Sequence, residues 1–151
     1  MKDTETKKMT YDELFGLLQN LQTVAEIRGN EKFTYGVSKN TDKLRRMLKP
    51  ISKQVIKPPK EYFEYMKKAQ VLRGSVNPKS QDATARLEVS KKLGELDKEY
   101  KKALDETKAN EEKNKKIYEQ EVEVDFHLID RANVPDMTIK ERDILNPFIA
   151  D

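Results

Sequence analysis

Residues 82–119 read DATARLEVSKKLGELDKEYKKALDETKANEEKNKKIYE and predict the longest helix of the chain. Apolar and small residues recur there at a period of about 3.5, which is typical of a helix that packs along one seam against a partner helix. The seam consists of Val89, Leu93, Leu96, Tyr100, Ala103, Leu104 and Thr107. The segment is therefore predicted to be one arm of an antiparallel helical hairpin.

The other arm is predicted to lie before a polar loop at Gly74–Ser80. Apolar residues that recur by three and four predict a helix over about 31–56. Pro50 should bend this helix, because proline removes one backbone hydrogen bond. A shorter helix over 60–73 follows, and the whole hairpin is predicted over about 31–119.

Two capping boxes mark the starts of further helices. Thr10 is followed three positions later by Glu13, and Thr138 is followed in the same way by Glu141. In such a box the hydroxyl and the carboxylate each bond a backbone N–H that the first helical turn leaves unpaired. These boxes open predicted helices over 11–28 and 138–145.

After the hairpin the apolar residues change to a period of two, which is typical of a strand with one buried face. The predicted strand covers about 121–129, and its apolar positions are Val122, Val124, Phe126 and Leu128. The strand could pair with the region of Phe33, pair with the same strand of another copy, or lie on the helices. We interpret Val122, Val124 and Phe126 as candidate oligomer contacts.

Composition limits the class of protein. The 151 residues are 36 % apolar and 38 % charged, which is too few apolar residues for a thick globule. The prediction is a mainly α fold: a flexible arm over 1–9, then a single helical domain over 10–151 built on an elongated hairpin, with one short strand and a short C-terminal helix. Its thin core predicts a homo-oligomer. The absence of a long apolar run or signal peptide predicts a cytoplasmic protein without membrane contact.

Catalytic and metal-binding chemistry have little support in the sequence. His127 is the single histidine, there is no cysteine, and the five glycines are isolated. Asp125 and His127 share one face of the predicted strand, but an exposed polar face is the more common explanation of that pattern. We therefore expect no enzyme activity, no catalytic residues, no metal and no cofactor.

Charge is distributed unevenly. Residues 38–60 carry eight cations against Asp42 alone, whereas residues 119–151 carry nine acids against three cations. The cations of the predicted helix lie away from its apolar seam, and Arg45 and Arg46 are taken as their focus. The candidate binding residues are Lys39, Lys43, Arg45, Arg46, Lys49 and Lys53. Such a stripe is either a solvated face or a surface for an anionic small ligand or an acidic protein surface; nucleic acid is less expected.

Two further features leave alternatives open. Asn40 stands where the seam calls for an apolar residue, so it either fixes register and oligomeric state or is a cap or an exposed residue. Tyr62, Phe63 and Tyr65 lie beside basic residues, and such a cluster either stacks a base or belongs to the core.

A leucine-rich capped helix, the stretch Phe33–Asn40 entering a second helix, a charged hairpin, the run Glu121–Asp125 and a short tail around Pro135 and Leu145 follow in this order. This order resembles a family of small helical proteins encoded in tailed-phage and prophage genomes. The resemblance implies the host cytoplasm and a non-enzymatic role, and it assigns no site residues. The predicted function is counter-defence, by sequestering an anionic ligand or a host protein; the alternative is a phage structural or assembly protein, such as a scaffold, chaperone or adaptor.

Overall fold

The computed structural model describes residues 3–76 and 82–150, and within them the chain is mainly helical, as predicted. The elements in chain order are β1 (Thr4–Thr10), α1 (Tyr11–Thr23), α2 (Glu31–Gln54), α3 (Lys60–Gly74), α4 (Ala83–Glu99), α5 (Lys101–Tyr118), β2 (Glu121–His127) and α6 (Ile139–Leu145). The chain forms two compact units instead of the single domain predicted over 10–151. Unit 1 comprises Met1–Val55 and Lys116–Asp151, and unit 2 comprises Ile56–Lys115.

The two strands of unit 1 form an antiparallel sheet, in which Thr4 lies opposite His127 and Thr10 lies opposite Glu121. The predicted strand is thus confirmed, and its partner is a segment of the same chain. The prediction of a flexible arm over 1–9 is wrong for residues 4–9. The strand was not predicted there because Met9 is the only apolar residue of this segment. Its strand conformation depends on hydrogen bonds to the distant β2.

The core of unit 1 takes side chains from α1, α2, β2 and the C-terminal segment. Its buried members are Leu14, Leu21, Val24, Phe33, Leu44, Leu48, Val124, Phe126, Ile129, Leu145 and Phe148. The rings of Phe126 and Phe148 meet edge to face, with their centroids 5.1 Å apart. Gly36 brings α2 close to the chain after β2, since a Cβ at this position would lie 2.5 Å from Cγ1 of Ile129.

Helix α1 has the predicted capping box at its start but ends earlier than the predicted residue 28. The chain leaves the helix in tight turns, in which the N–H of Val24 bonds the C=O of Leu21 and the N–H of Ile27 bonds the C=O of Val24. These turns bury Val24, which is only 3 % exposed. Burial of this side chain therefore replaces the last helical turn that the sequence predicts.

Helix α2 contains Pro50, as predicted, but it is not an arm of the hairpin. It contacts α1 and β2, and it therefore belongs to unit 1. Periodicity showed that this helix buries one face, and it gave no indication of which element covers that face. The predicted hairpin over 31–119 is thus shorter in the structure.

The hairpin of unit 2 pairs α3 with α4 in antiparallel orientation. The hydroxyl of Tyr65 donates to Asp97, and the ammonium of Lys68 donates to the hydroxyl of Tyr100. Ala69 and Leu96 are buried with Tyr65 between the two helices. The predicted loop at Gly74–Ser80 begins at the end of α3, and residues 77–80 of it lie outside the described residues.

The long helix predicted over 82–119 is interrupted once, at Tyr100. Tyr100 has φ −102° and ψ 18°, yet its N–H bonds the C=O of Leu96 and its C=O accepts from Leu104. The hydrogen bonds of a helix therefore continue on both sides of a local distortion. At the other end of the chain, the capping box of Thr138 and Glu141 opens α6, as predicted.

Candidate functional site

Five cations of α2 lie outside the buried face of the helix. Residues three, four and seven positions apart lie on the same side of a helix, and these cations follow that spacing. We call them the α2 cationic face: Lys39, Lys43, Arg46, Lys49 and Lys53. From residue 39 to residue 53 the helix rises by about 21 Å. The opposite side of α2 is buried, with Leu44 and Leu48 in the core.

Among the described residues, no member of this face has a partner of opposite charge. Arg46, Lys49 and Lys53 are exposed, and among the described residues none of them is within 4.0 Å of a carboxylate. The ammonium of Lys39 lies 5.5 Å from the ring centre of Tyr35, where it gains a cation–π contact and stays open to solvent. The face therefore presents charges that the rest of the described chain does not neutralise.

Arg45 lies at the margin of this face, one turn before Lys49 and about 100° around the helix from Arg46. A guanidinium nitrogen of Arg45 lies 3.8 Å from a carboxylate oxygen of Asp42, and both side chains are more than half exposed. Such an exposed pair contributes little to stability, and it gives Arg45 a local partner.

Lys43 has a structural contact in addition to its place on the face. Its ammonium donates a hydrogen bond of 2.5 Å to the backbone C=O of Asp125 in β2. The side chain is half-buried. Lys43 therefore fastens α2 to the edge of the sheet, and the candidate role in ligand binding falls mainly to the other four cations.

Asn40 makes the second link between α2 and β2. Its side chain is 1 % exposed; its NH₂ donates to the C=O of His127 at 2.9 Å, and its oxygen accepts from the N–H of His127 at 2.8 Å. The N–H of Leu128 points toward β1, because it bonds the C=O of Asp3. Backbone groups of successive residues point to opposite sides of an antiparallel strand, so the N–H and C=O of His127 point away from β1. Asn40 thus pairs with a strand edge inside its own chain, and it is neither a cap nor exposed.

An acidic row lies on β2, the strand that α2 contacts. Glu121, Glu123 and Asp125 are exposed on the outer side of β2, where Glu121 pairs with Lys8 of β1 at 3.2 Å. Asn40 contacts His127 and Lys43 contacts Asp125, so α2 runs along the β2 edge in the opposite direction to the strand. Unit 1 therefore carries a row of cations on α2 and an acidic row on β2, the strand to which α2 is bonded, and the acidic row was not identified as part of the site from the sequence.

The strand residues proposed as oligomer contacts are occupied within the chain. Val124 is 1 % exposed, Phe126 is fully buried, and Val122 packs against the same core. Because these side chains fill the core of unit 1, they offer no surface to a second copy. Their alternation predicted the buried face correctly, but not what covers it.

The residues considered for catalysis are not joined in a catalytic pair. The carboxylate of Asp125 accepts from the hydroxyl of Thr6, and the ring of His127 meets Tyr35 edge to face at 5.5 Å. His127 and Tyr35 line an open cleft of about 380 Å³ together with Lys32. Within residues 3–76 and 82–150, no cluster of three or more His, Asp or Glu residues is placed to hold a metal ion, and no helix is long and apolar enough to cross a membrane.

The aromatic cluster of unit 2 divides between core and surface. Tyr65 is buried beside Ala69 and Leu96, which agrees with the interpretation of this residue as core, whereas Phe63 is 53 % exposed. The hydrogen bond from Tyr65 to Asp97, together with burial, raises the pKa of the Tyr65 hydroxyl above its usual value. Tyr65 thus contributes to the helical hairpin and is not available to stack a base.

Comparisons with protein-family models, curated proteins and solved structures find no match for this chain.

Proposed function

We propose that this protein is a non-enzymatic binding protein whose α2 cationic face binds an acidic surface of another protein. The observation that carries the proposal is the set of exposed cations without ion pairs, Arg46, Lys49 and Lys53. Cations in line on a convex helix do not converge on one point, whereas sites for small molecules are concave. An extended partner therefore fits this face better than a compact anion.

The acidic row on β2 favours a protein partner over nucleic acid. Glu123 and Asp125 are exposed on β2, to which Lys43 of α2 is bonded, and they would repel a phosphate backbone that extended from α2 onto the strand. A protein partner can place an acidic stripe against α2 and basic residues against β2. Complementary charge of this kind increases the rate of association and selects between partners.

The resemblance to phage-encoded proteins favours a counter-defence role in the host cytoplasm, in which the bound protein is sequestered. An assembly role is the second candidate. It draws on exposed apolar side chains in unit 2, where Phe63 is 53 % exposed, Met66 is 44 % exposed and Leu87 is 71 % exposed. Exposed apolar side chains are a common feature of protein-binding surfaces.

The test compares two charge-reversed variants that have the same net charge. One carries Arg46→Glu, Lys49→Glu and Lys53→Glu on α2. The control carries Glu at three exposed lysines of α5, which are Lys101, Lys108 and Lys113. The probe is a fluorescent poly-glutamate peptide, and binding is followed by anisotropy at low and at physiological salt.

We expect the unmodified chain and the control to bind the peptide, with an affinity that falls as salt screens exposed charges. The α2 variant should bind at least tenfold more weakly, with an unchanged circular dichroism spectrum. An equal loss in the control would assign binding to net charge and refute the proposal. Binding of a short DNA duplex as tightly as the peptide would refute the choice of a protein partner.

A further inference from the structure

The two edges of the sheet in unit 1 differ. Asn40 and Lys43 cover the β2 edge at His127 and Asp125. The other edge belongs to β1, and among the described residues no helix or loop contributes a hydrogen bond along it at residues 4–8. An open strand edge presents unpaired backbone groups and is a site at which another strand can add.

The backbone groups at this open edge can be identified from the ladder. The N–H of Leu128 bonds the C=O of Asp3, and the N–H of Tyr11 bonds the C=O of Gln120. Because bonded and non-bonded pairs alternate in an antiparallel ladder, the even-numbered residues of β1 point their N–H and C=O groups away from β2. In the open stretch 4–8 these residues are Thr4, Thr6 and Lys8, and all three side chains are exposed.

We propose that the β1 edge pairs with the β1 edge of a second copy, antiparallel and centred on Thr6. In this register Thr6 lies opposite Thr6 of the second copy, and Thr4 lies opposite Lys8. Each of these residue pairs exchanges two backbone hydrogen bonds. Glu5 lies opposite Lys7 of the second copy, and the two-fold axis forms that charge pair twice. The two-stranded sheets of the two copies thereby become one four-stranded sheet.

Charge selects this register. A centre on Glu5, Lys7 or Lys8 would place that charged residue opposite its own copy, and a centre on Thr4 would place Glu5 opposite Asp3. Like charges directly opposite each other destabilise a strand pair, whereas opposite charges stabilise it. Within one copy, the charged groups of Lys7 and Glu5 lie 4.0 Å apart, and the ammonium of Lys7 also donates to the C=O of Pro147.

Charge exchange tests both the interface and its register. Glu5→Lys places lysine opposite Lys7 of the second copy, and Lys7→Glu places glutamate opposite Glu5. Sedimentation equilibrium of the full chain should show a dimer that each single variant weakens at least tenfold. The double variant, with both changes in one chain, restores opposite pairs and should dimerise like the unmodified chain. Glu26→Lys, at an exposed residue outside the sheet, is the control.

Cross-linking gives a second measurement, because the chain has no cysteine. Residues opposite each other in a bonded pair have Cα atoms about 5.5 Å apart, which lies within disulfide range. Thr6→Cys should therefore form a disulfide-linked dimer on mild oxidation. Thr4→Cys should not, because its own copy lies four residues along the partner strand, about 14 Å away.

Two outcomes would overturn the proposal. One is a monomer at every concentration up to the high micromolar range, with no cross-linking of Thr6→Cys. The other is a dimer that cross-links equally through Thr4→Cys and Thr6→Cys or that the double charge variant fails to restore. Neither outcome bears on the α2 cationic face, so this proposal and the proposed function can fail separately.

Discussion

Removing the side chain of Asn40 should destabilise unit 1, because it leaves the β2 edge without its partner at His127. Asn40→Ala breaks two hydrogen bonds, of 2.9 Å and 2.8 Å, and leaves the N–H and C=O of His127 facing a site that was 1 % exposed. Each unpaired backbone group costs roughly 1–3 kcal/mol. For the two groups together we therefore expect a loss of about 2–6 kcal/mol and a fall in Tm of roughly 4–24 °C.

The measurement is urea unfolding followed by circular dichroism, with Asn20→Ala as the matched control. Asn20 is also helical, in α1, but it is exposed, and its variant should lie within about 0.5 kcal/mol of the unmodified chain. If Asn40→Ala cost no more than Asn20→Ala, the amide would not be pairing with the strand edge. Asn40 would then not be the residue that fastens α2 to β2.

Asn40→Asp adds a pH dependence with a definite sign. Its second carboxylate oxygen would face the C=O of His127, which it can approach favourably only when protonated. Burial and this contact raise the pKa of the introduced carboxyl in the folded state above its unfolded value of about 3.9. The variant should be close to the unmodified chain below about pH 4 and lose stability as pH rises. Equal losses at pH 4 and pH 7 would contradict this.

The remaining predictions concern packing and the hairpin of unit 2. Gly36→Ala places a methyl group 2.5 Å from Cγ1 of Ile129 and should lower the free energy of unfolding by about 1–3 kcal/mol, as measured by thermal unfolding. Gly16→Ala in α1, with no atom within 4 Å of its Cβ, should raise it by up to about 1 kcal/mol. Equal effects of the two substitutions would disprove the close approach at Gly36. The hydrogen bond to Asp97 and burial raise the pKa of Tyr65, so its contribution to stability should be lost as pH rises above about 10, and Tyr65→Phe should remove that alkaline loss.

Features with a local cause could be predicted from the sequence. The capping boxes at Thr10 and Thr138 open helices in the structure because a cap joins residues only three positions apart. The buried face of β2 was also predictable, since alternation is a property of the strand itself. The helix over 31–56 was predicted through Pro50 and ends within two residues of the expected position.

Features that depend on distant residues could not be predicted in this way. Strand β1 has one apolar residue, Met9, and it is a strand because β2, more than a hundred residues later, bonds to it. The boundary between the two units was missed as well, because periodicity shows that a helix buries one face and does not show which element covers that face.

The candidate site shows the same division. The common face of the α2 cations followed from helical spacing alone. The contacts of Lys43 with Asp125 and of Arg45 with Asp42 decide which cations remain available, and only the first of them joins distant parts of the chain. Asn40 was marked by its polarity at an apolar position, and its partner became evident only when β2 was placed beside α2.

The covered edge of the sheet is what gives the charged surface of unit 1 a fixed geometry. Asn40 and Lys43 hold α2 along β2 at two points one helical turn apart, so the cationic face and the acidic row have a fixed spacing. A partner that contacts both rows requires that spacing, because complementary charges select between partners only when their positions are fixed. Asn40→Ala should therefore weaken binding of a partner that carries charges of both signs more than binding of poly-glutamate, which needs the cations alone. Equal weakening of both would show that α2 acts as an independent charged helix.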